Sequence, residues 1–245
     1  MHEPLPTSTS PDPVQAVSSR WLAVRRLVDA ACRAAGREPR EVTVVGVTKY
    51  ADASATAALF DAGCEDLGES RPQSLWDKAE LLGPRAVRWH MVGHLQRNKV
   101  ARTLPLITMI HSLDSDRLAE AVSAAAVEQG RVVDCLIEVN VSGDERKTGF
   151  PLNRVLRYAD YLRTLPGVRA CGLMGMAGLN ATEEETRRQF TFMLLLRNQL
   201  RTTHGDERHP FDQLSMGMSG DFELAIEYGA TIVRIGSSLF PEARR

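Results

Sequence analysis

Segments with the pattern of a β-strand alternate with segments with the pattern of an α-helix along nearly the whole chain, which restricts the fold more than any other feature. Residues 42–48 form the first strand candidate, because they are rich in valine and carry hardly any polar side chain. Such a run is typical of a strand buried on both faces. Seven further strand candidates follow: residues 65–68, 88–93, 106–111, 132–141, 168–174, 211–216 and 231–236.

Helix candidates fill the intervals: residues 53–62, 73–82, 96–104, 116–129, 152–165, 183–201 and 221–228. Regular alternation of strands and helices predicts a parallel sheet. About eight such units in roughly 250 residues are what a closed barrel requires. The alternative, an open doubly wound sheet, normally carries a glycine-rich dinucleotide turn after its first strand, whereas this chain has Thr48, Lys49 and Tyr50 there. We therefore predict an α/β fold, a single (β/α)8 TIM barrel.

An N-terminal helical extension is predicted before the first strand. Val17, Trp21 and Val24 recur at three- and four-residue spacing in a segment that begins near Pro13, and Gly36 ends the pattern. Residues 1–13 are polar and contain several prolines and serines, which predicts a disordered tail. They lack the basic and apolar regions of a signal peptide. No change of composition divides residues 14–245, which we assign to one barrel domain.

Charge and cysteine usage exclude several classes of partner. The formal net charge is -1, so no general field attracts nucleic acid or an anionic membrane. No apolar run approaches the roughly 20 residues that span a bilayer. The 4 cysteines stand far apart without a CxxC pair, as expected of reduced thiols in a cytoplasmic protein. His90 and His94 have no third ligand at a suitable spacing, so we predict no metal site.

Lys49 is the first candidate for chemistry, because function in such barrels collects where the strands end. A period of two places Lys49 on the same side of its strand as Val45 and Val47. At the rim of an apolar strand we expect the amine to lose hydration, which favours its neutral, nucleophilic form and permits a Schiff base with an aldehyde. The alternative is a lysine that extends into solvent from a loop.

The segments after the seventh and eighth strands predict a phosphate site, because barrels frequently bind phosphate there. Glycines allow the backbone to approach an anion, serines supply hydroxyl groups, and the helix after the seventh strand offers its amino end. The alternative is a pair of ordinary capped turns. The residues concerned are Ser215, Gly217, Ser219, Gly220, Gly236, Ser237 and Ser238.

Arg234 shares a face of the last strand with Ile232 and Gly236, so its side chain is predicted to point into the barrel. A buried guanidinium requires a partner, which is either an internal salt bridge or the ring of a cofactor. Further polar candidates for the rim are Glu69, Ser70, His90, Gln96, Asn98, Lys99, His111, Asp114, Asn140, Ser142 and Lys147.

The motifs around these residues resemble, in order, those of the pyridoxal phosphate homeostasis proteins, a family similar to the barrel domain of alanine racemase. The matching runs extend from about Val42 to Phe240 and read VTK, LGES, WHMVGHLQRNK, IHSLD, IEVNVSGDERKTG, GLMGM, LSMGMSGD and VRIGS. This resemblance implies a (β/α)8 barrel that holds pyridoxal phosphate (PLP) as a Schiff base on Lys49.

The resemblance also implies roles for other residues. Arg234 corresponds to the arginine at the ring nitrogen of PLP. Family members usually carry asparagine at Ser70, often proline at His94, and a different run at 175–177. The phosphate site corresponds to Ser215, Met216, Gly217, Gly236 and Ser237, and the remaining cofactor-binding candidates are Ser70, Met174, His90 and Asn140.

We expect a protein that binds, buffers and delivers PLP to PLP-dependent apoenzymes, not an enzyme. An arginine beside the ring nitrogen disfavours its protonation, which makes the ring a poorer electron sink. Alanine racemase adds an acid/base tyrosine from a second domain, which we do not expect here because the chain ends at Arg245, soon after its eighth strand. Two alternatives remain: a small PLP-dependent amino-acid racemase with His90 as second acid/base, and a sugar-phosphate enzyme whose Lys49 binds a substrate carbonyl.

Overall fold

Eight parallel strands form a closed barrel in the computed structural model, which describes residues 13–144 and 148–241. The strands are β1 (Thr43–Val47), β2 (Asp66–Glu69), β3 (Arg88–Met91), β4 (Ile107–Leu113), β5 (Val133–Val139), β6 (Val168–Gly175), β7 (Gln213–Ser215) and β8 (Ile232–Ile235). Each strand pairs with the next along the chain, and β1 also pairs with β8, with Val45 opposite Arg234. The predicted barrel is confirmed, and the open-sheet alternative is wrong because the first and last strands are joined.

Helices cover the outside of the barrel. Within the described ranges they are α1 (Pro13–Ala34), α2 (Ala53–Asp61), α3 (Pro72–Leu82), α4 (Val100–Thr103), α5 (Asp116–Glu128), α6 (Leu152–Arg163), α7 (Glu183–Thr203) and α8 (Phe222–Glu227). The helix predicted over residues 96–104 is instead a 3-10 turn, Arg97–Lys99, followed by the single turn of α4. Neither Gln96 nor Lys99 provides the side-chain cap that would stabilise a longer helix.

The N-terminal extension is a helix whose apolar face lies on the barrel. Its buried side chains are Val17, Trp21, Val24 and Val28. They pack on the α2 and α8 side of the barrel, and each stabilises the fold by about 1.5–3 kcal/mol. Arg37, just beyond the helix, donates to the carbonyl oxygens of Ile226 and Ala230 at 3.0 and 2.7 Å. Of the predicted tail, residues 1–12 lie outside the described residues, and Pro13 begins α1.

Two sets of apolar side chains surround the strands. The larger lies between the strands and the helices, where Val44 and Leu67 point outward from β1 and β2. The smaller set fills the barrel itself and comprises Val45, Leu136, Cys171, Met174 and Ile232. Since side chains alternate between the two faces of a strand, every second residue reaches the interior. The interior is therefore packed, and a ligand can enter only where the strands end.

The 4 cysteines, Cys32, Cys64, Cys135 and Cys171, are buried and form no disulfide. Burial raises the pKa of the Cys64 and Cys171 thiols to about 12, which keeps them protonated and unreactive. Among the residues that the structure describes, no helix is long and apolar enough to cross a membrane, and no three His, Cys, Asp or Glu side chains are grouped to hold a metal ion.

Candidate functional site

Lys49 lies at the carboxyl end of the barrel, two residues beyond the end of β1 at Val47. Its side chain is exposed, and the ammonium lies 4.9 Å from the ring centroid of Tyr50. The expected loss of hydration is therefore wrong: β1 ends before Thr48, and Lys49 stands on the following turn. Arg71, from the loop after β2, donates to the Lys49 carbonyl oxygen at 3.3 Å. The backbone of Lys49 is thus held while its amine remains accessible.

A buried ion pair lies beside the turn that carries Lys49. Lys78 Nζ lies 2.5 Å from Glu69 Oε1, and the two side chains are 8% and 0% exposed. Lys78 also donates to the Thr48 carbonyl oxygen at 2.7 Å, and the Thr48 hydroxyl donates to Glu69 Oε1 at 3.0 Å. Because Thr48 directly precedes Lys49, this pair holds the backbone that leads into Lys49.

Glu69 was predicted from the sequence to lie at the rim of the barrel, whereas Lys78 was not predicted to belong to the site. The signal was present, since Lys78 falls three residues after Leu75 and four before Leu82, on the buried stripe of α3. A lysine in such a stripe requires a partner, because burial of an isolated charge is strongly unfavourable. Ser70 enters the same network through its backbone, whose N–H donates to Glu69 Oε2 at 2.9 Å.

Arg234 points into the barrel, as predicted, and is 5% exposed. Nη1 donates to the carbonyl and hydroxyl oxygens of Ser215 at 2.9 and 2.6 Å, and Nη2 donates to the Gly175 carbonyl oxygen at 3.1 Å. Burial lowers the pKa of the guanidinium to about 10, against the charges of Asp221 and Glu138, so it stays a cation at neutral pH.

The contacts of Arg234 are with neutral acceptors, so the alternative of an internal salt bridge is wrong for the residues that the structure describes. They use three of the five N–H bonds of the guanidinium. Nε–H and one Nη2–H remain for a further acceptor. A pyridine nitrogen is an acceptor of this kind, so the group fits the role that the resemblance implies.

The Ser215 hydroxyl is committed to side chains of the barrel interior, which corrects its predicted role at a phosphate. It accepts from Arg234 and lies 3.0 Å from His111 Nδ1. His111 Nε2 lies 2.9 Å from His90 Nδ1, and His90 Nε2 lies 3.1 Å from Asp66 Oδ1. The predicted place of His90 at the rim is also wrong, because both ring nitrogens have partners and Asp66 begins β2 at the opposite end of the barrel.

Burial and charge set the protonation of these interior groups. Burial raises the pKa of Asp66, but hydrogen bonds from Arg88 and His90 outweigh it and bring the pKa to about 2. Burial lowers the pKa of His111, and the neighbouring His90 and Arg234 lower it further. At neutral pH the Asp66 carboxylate is therefore ionised and the His111 imidazole is neutral.

The loops after β7 and β8 meet at Ser219. Its hydroxyl accepts from the backbone N–H groups of Gly236 and Ser238, at 3.3 Å each. A Cβ built on Gly236 would approach Val47 only to 3.4 Å, and one on Gly220 would meet nothing within 4 Å. The loops thus present convergent backbone donors beside open space, which suits an oxyanion such as a phosphate.

The helix after β7 contributes less to this place than predicted. α8 has only 6 residues, and Asp221 stands at its amino end, where Oδ1 accepts from the Met218 N–H at 2.6 Å. Its carboxylate makes no capping hydrogen bond to the first turn of α8. Gly217 is required by the backbone itself, since its φ is +91° and a Cβ would lie 2.5 Å from the Ala225 Cβ.

The side chains of the other residues predicted at the phosphate and cofactor site differ in how far they are buried. Met174 belongs to the interior cluster and is 1% exposed, so it lies beneath the site. The Met216 side chain is buried between strands and helices, which leaves only its backbone to face a ligand. Ser237 is half-buried in the loop after β8. Lys147 lies outside the described residues.

The end of β5 carries a buried acid that sequence analysis missed. Glu138 is 5% exposed, and its Oε1 accepts from the Thr148 hydroxyl at 2.5 Å. Burial raises the pKa of Glu138 against that hydrogen bond. Asn140, two residues on, donates to the Asp144 carbonyl oxygen at 2.8 Å and accepts from the Ser142 hydroxyl at 3.1 Å. In this arrangement the Asn140 side chain shapes the loop after β5.

Comparison with known proteins agrees with this geometry. The profile of the alanine racemase N-terminal domain matches residues 23–243. The pyridoxal phosphate homeostasis proteins of Aquifex aeolicus (strain VF5) and Escherichia coli (strain K12) are 36% and 35% identical, over 92% and 91% of this chain and 97% and 95% of theirs. The solved structure of PipY from Synechococcus elongatus PCC7942 with PLP bound is 30% identical, covers 91% of this chain and 99% of its own, and superposes with a TM-score of 0.76.

Proposed function

Because this chain belongs to the family of pyridoxal phosphate homeostasis proteins, on the barrel of the alanine racemase N-terminal domain, we propose that it binds PLP through Lys49 and carries the cofactor without turning over a substrate. The environment of Arg234 supports this proposal most strongly. Arg234 is a buried cation whose partners among the described residues are neutral, and two of its N–H bonds are left for a further acceptor. A pyridine nitrogen supplies that acceptor.

Reversible attachment follows from the position of Lys49. PLP brings an aldehyde, which a lysine amine captures in a bond that water or another amine can break. The amine of Lys49 is exposed, so a competing amine reaches it without any movement of the barrel. An accessible attachment point suits a protein that loads and releases its cargo.

The phosphate of PLP is assigned to the loops that meet at Ser219. The N–H groups of Gly236 and Ser238 already converge on one oxygen there, at distances long enough for a phosphate oxygen to compete. The open space beside Gly220 accommodates the anion. The backbone, with less help from the short α8, then supplies most of the affinity for the phosphate.

Two features oppose turnover. Arg234 places a positive charge where the ring nitrogen would otherwise gain a proton, which limits the ring as an electron sink. His90, the second acid/base of the racemase alternative, points away from Lys49 toward Asp66. We therefore favour a carrier that delivers PLP to PLP-dependent apoenzymes, and we place it in the cytoplasm, where its 4 buried thiols stay reduced.

The test is a titration of the purified protein with PLP, followed by borohydride reduction and peptide mapping. We expect the absorption band of PLP bound to a lysine and one stoichiometric label, which lies on Lys49. Lys49→Arg is the matched control, since it keeps the charge but cannot be labelled. Label on Lys99 would overturn the assignment, and no uptake of PLP would favour the sugar-phosphate enzyme. Rapid turnover of any amino acid in a panel would favour the racemase.

A further inference from the structure

A continuous row of polar side chains crosses the barrel from the amino ends of the strands to the cofactor side. Its members in order are Arg88, Asp66, His90, His111, Ser215 and Arg234. Successive contacts measure 2.6, 3.1, 2.9, 3.0 and 2.6 Å. The row joins strands β2, β3, β4, β7 and β8, and it shares the barrel interior with the apolar cluster of Val45, Leu136, Cys171, Met174 and Ile232. We call these six residues the interior polar row.

Burial leaves this row little freedom. His90 is 5% exposed, and His111 and Ser215 are 1% exposed or less. Polar groups removed from water must be hydrogen-bonded, so each donor in the row has to face an acceptor. This requirement determines which nitrogen of each histidine carries the proton.

The direction of the row follows from its acidic end. The Asp66 carboxylate only accepts, so His90 donates to it from Nε2. With this proton on Nε2, the other ring nitrogen of His90, Nδ1, accepts from Nε2–H of His111. The Nδ1 of neutral His111 must accept in turn, and its partner is the Ser215 hydroxyl. Ser215 Oγ thereby keeps a lone pair aimed at Arg234, which donates to it.

We propose that His111 and His90 are positioning residues for the cofactor: through Ser215 they hold the Arg234 guanidinium in the orientation that meets the ring nitrogen of PLP. This inference rests on the proposed function. From Arg234 to Asp66, each hydrogen bond is donated toward Asp66, and hydrogen bonds arranged in such a chain polarise one another. Because the Ser215 hydroxyl donates a hydrogen bond to His111, its oxygen carries more negative charge toward the guanidinium.

Loss of His111 would break this arrangement at its centre. Without an acceptor at Nδ1, the Ser215 hydroxyl can rotate its proton toward Arg234, where a donor would face a donor. The guanidinium would then turn from Ser215 and misalign its remaining N–H bonds. A change at His111, two side chains from Arg234 along the row, is thus felt at the cofactor ring, although neither histidine touches it.

The first test concerns the row alone. Two-bond ¹⁵N–¹H spectra of histidine-labelled protein distinguish the tautomers, and we expect the rings of His90 and His111 both to carry the proton on Nε2. A proton on Nδ1 of His111 would overturn the direction of the row. This measurement does not depend on PLP, so it stands even if the proposed function fails.

The second test concerns the cofactor. For His111→Leu we expect a PLP affinity about 10- to 100-fold lower, as for other supporting residues of a bound group, and a shifted absorption band of the Lys49-bound cofactor. His111→Gln keeps one donor and one acceptor and should recover most of the affinity and the band. His204→Leu removes a histidine bonded to Asp160 on the outside of the barrel and should behave as wild type.

The outcomes separate the two ideas. If the wild-type protein takes up no PLP, the proposed function is refuted, and only the histidine tautomers test the direction of hydrogen bonding in the interior polar row. If it takes up PLP and folded His111→Leu matches it in affinity and band, the positioning role is refuted. Should His111→Leu fail to fold, His111→Phe, which keeps the shape of the ring but offers Ser215 no acceptor, replaces it with the same expected loss.

Discussion

Replacement of Lys78 by methionine tests how much of the barrel's stability depends on the ion pair beside Lys49. The change keeps the length of the side chain on the buried stripe of α3 but removes its charge. Glu69, which is 0% exposed, then keeps a buried negative charge, and its donors among the described residues are the Thr48 hydroxyl and the Ser70 N–H. The Thr48 carbonyl oxygen also loses the Lys78 ammonium as a donor.

The expected loss is large. Removing one partner of a buried pair costs about 3–5 kcal/mol, and the two donors that Glu69 retains point to the lower end. For a chain of this size about 3 kcal/mol corresponds to a melting temperature lower by roughly 6–12 °C. Because domains are stable by about 5–15 kcal/mol, the variant should still fold and its urea midpoint can be measured.

Two further variants make the measurement decisive. Glu69→Gln combined with Lys78→Met removes both charges and should be more stable than Lys78→Met alone. Arg187→Met breaks exposed pairs with Glu183 and Glu227 and should leave the midpoint near that of the wild type. A loss below about 1 kcal/mol for Lys78→Met, or a double variant no better than the single one, would refute the buried-charge argument.

Three other outcomes are expected. Gly236→Ala fits without strain, so it should keep the wild-type melting temperature but weaken PLP more than pyridoxal in a binding titration. Holoprotein mixed with a PLP-dependent apoenzyme should restore that enzyme's activity, and cofactor that never leaves Lys49 would count against the carrier. Asp66→Asn should lower the free energy of unfolding by roughly 2 kcal/mol at neutral pH, because the pKa of Asp66 is held at about 2 in the folded state. The contribution of the Asp66 carboxylate is complete above about pH 4 and is lost as the pH falls toward 2. The urea midpoints of variant and wild type should therefore converge over that range.

The strands could be predicted from the sequence because a strand buried on both faces leaves a strong local pattern. The run 42–48 differs from β1, Thr43–Val47, by one residue at each end. That small difference mattered, since it moved Lys49 from a dehydrated strand end to an exposed turn. Residues 96–104 were mistaken for one helix, because composition describes helix-forming residues but not the caps that sustain a long helix.

Alternation along a strand also predicted correctly that Arg234 points inward, since the face of a residue follows from its parity in the strand. Parity does not say how far along the barrel axis a side chain reaches. His90 lies on an inward face, yet its ring turns toward Asp66 at the amino ends of the strands. Ser215 was assigned to a phosphate because it lies where the seventh strand ends, whereas its hydroxyl meets His111.

By itself the sequence determined the barrel, and it also predicted Lys49 and the loops after the seventh and eighth strands as candidates, because each of these depends on local pattern and order along the chain. Only the tertiary structure decided the partners. Lys78 meets Glu69 where α3 packs on β2, and His111 meets Ser215 across 104 positions, through the closure of the barrel. A buried polar group must find its partner wherever the fold brings one, and sequence order carries no record of that distance.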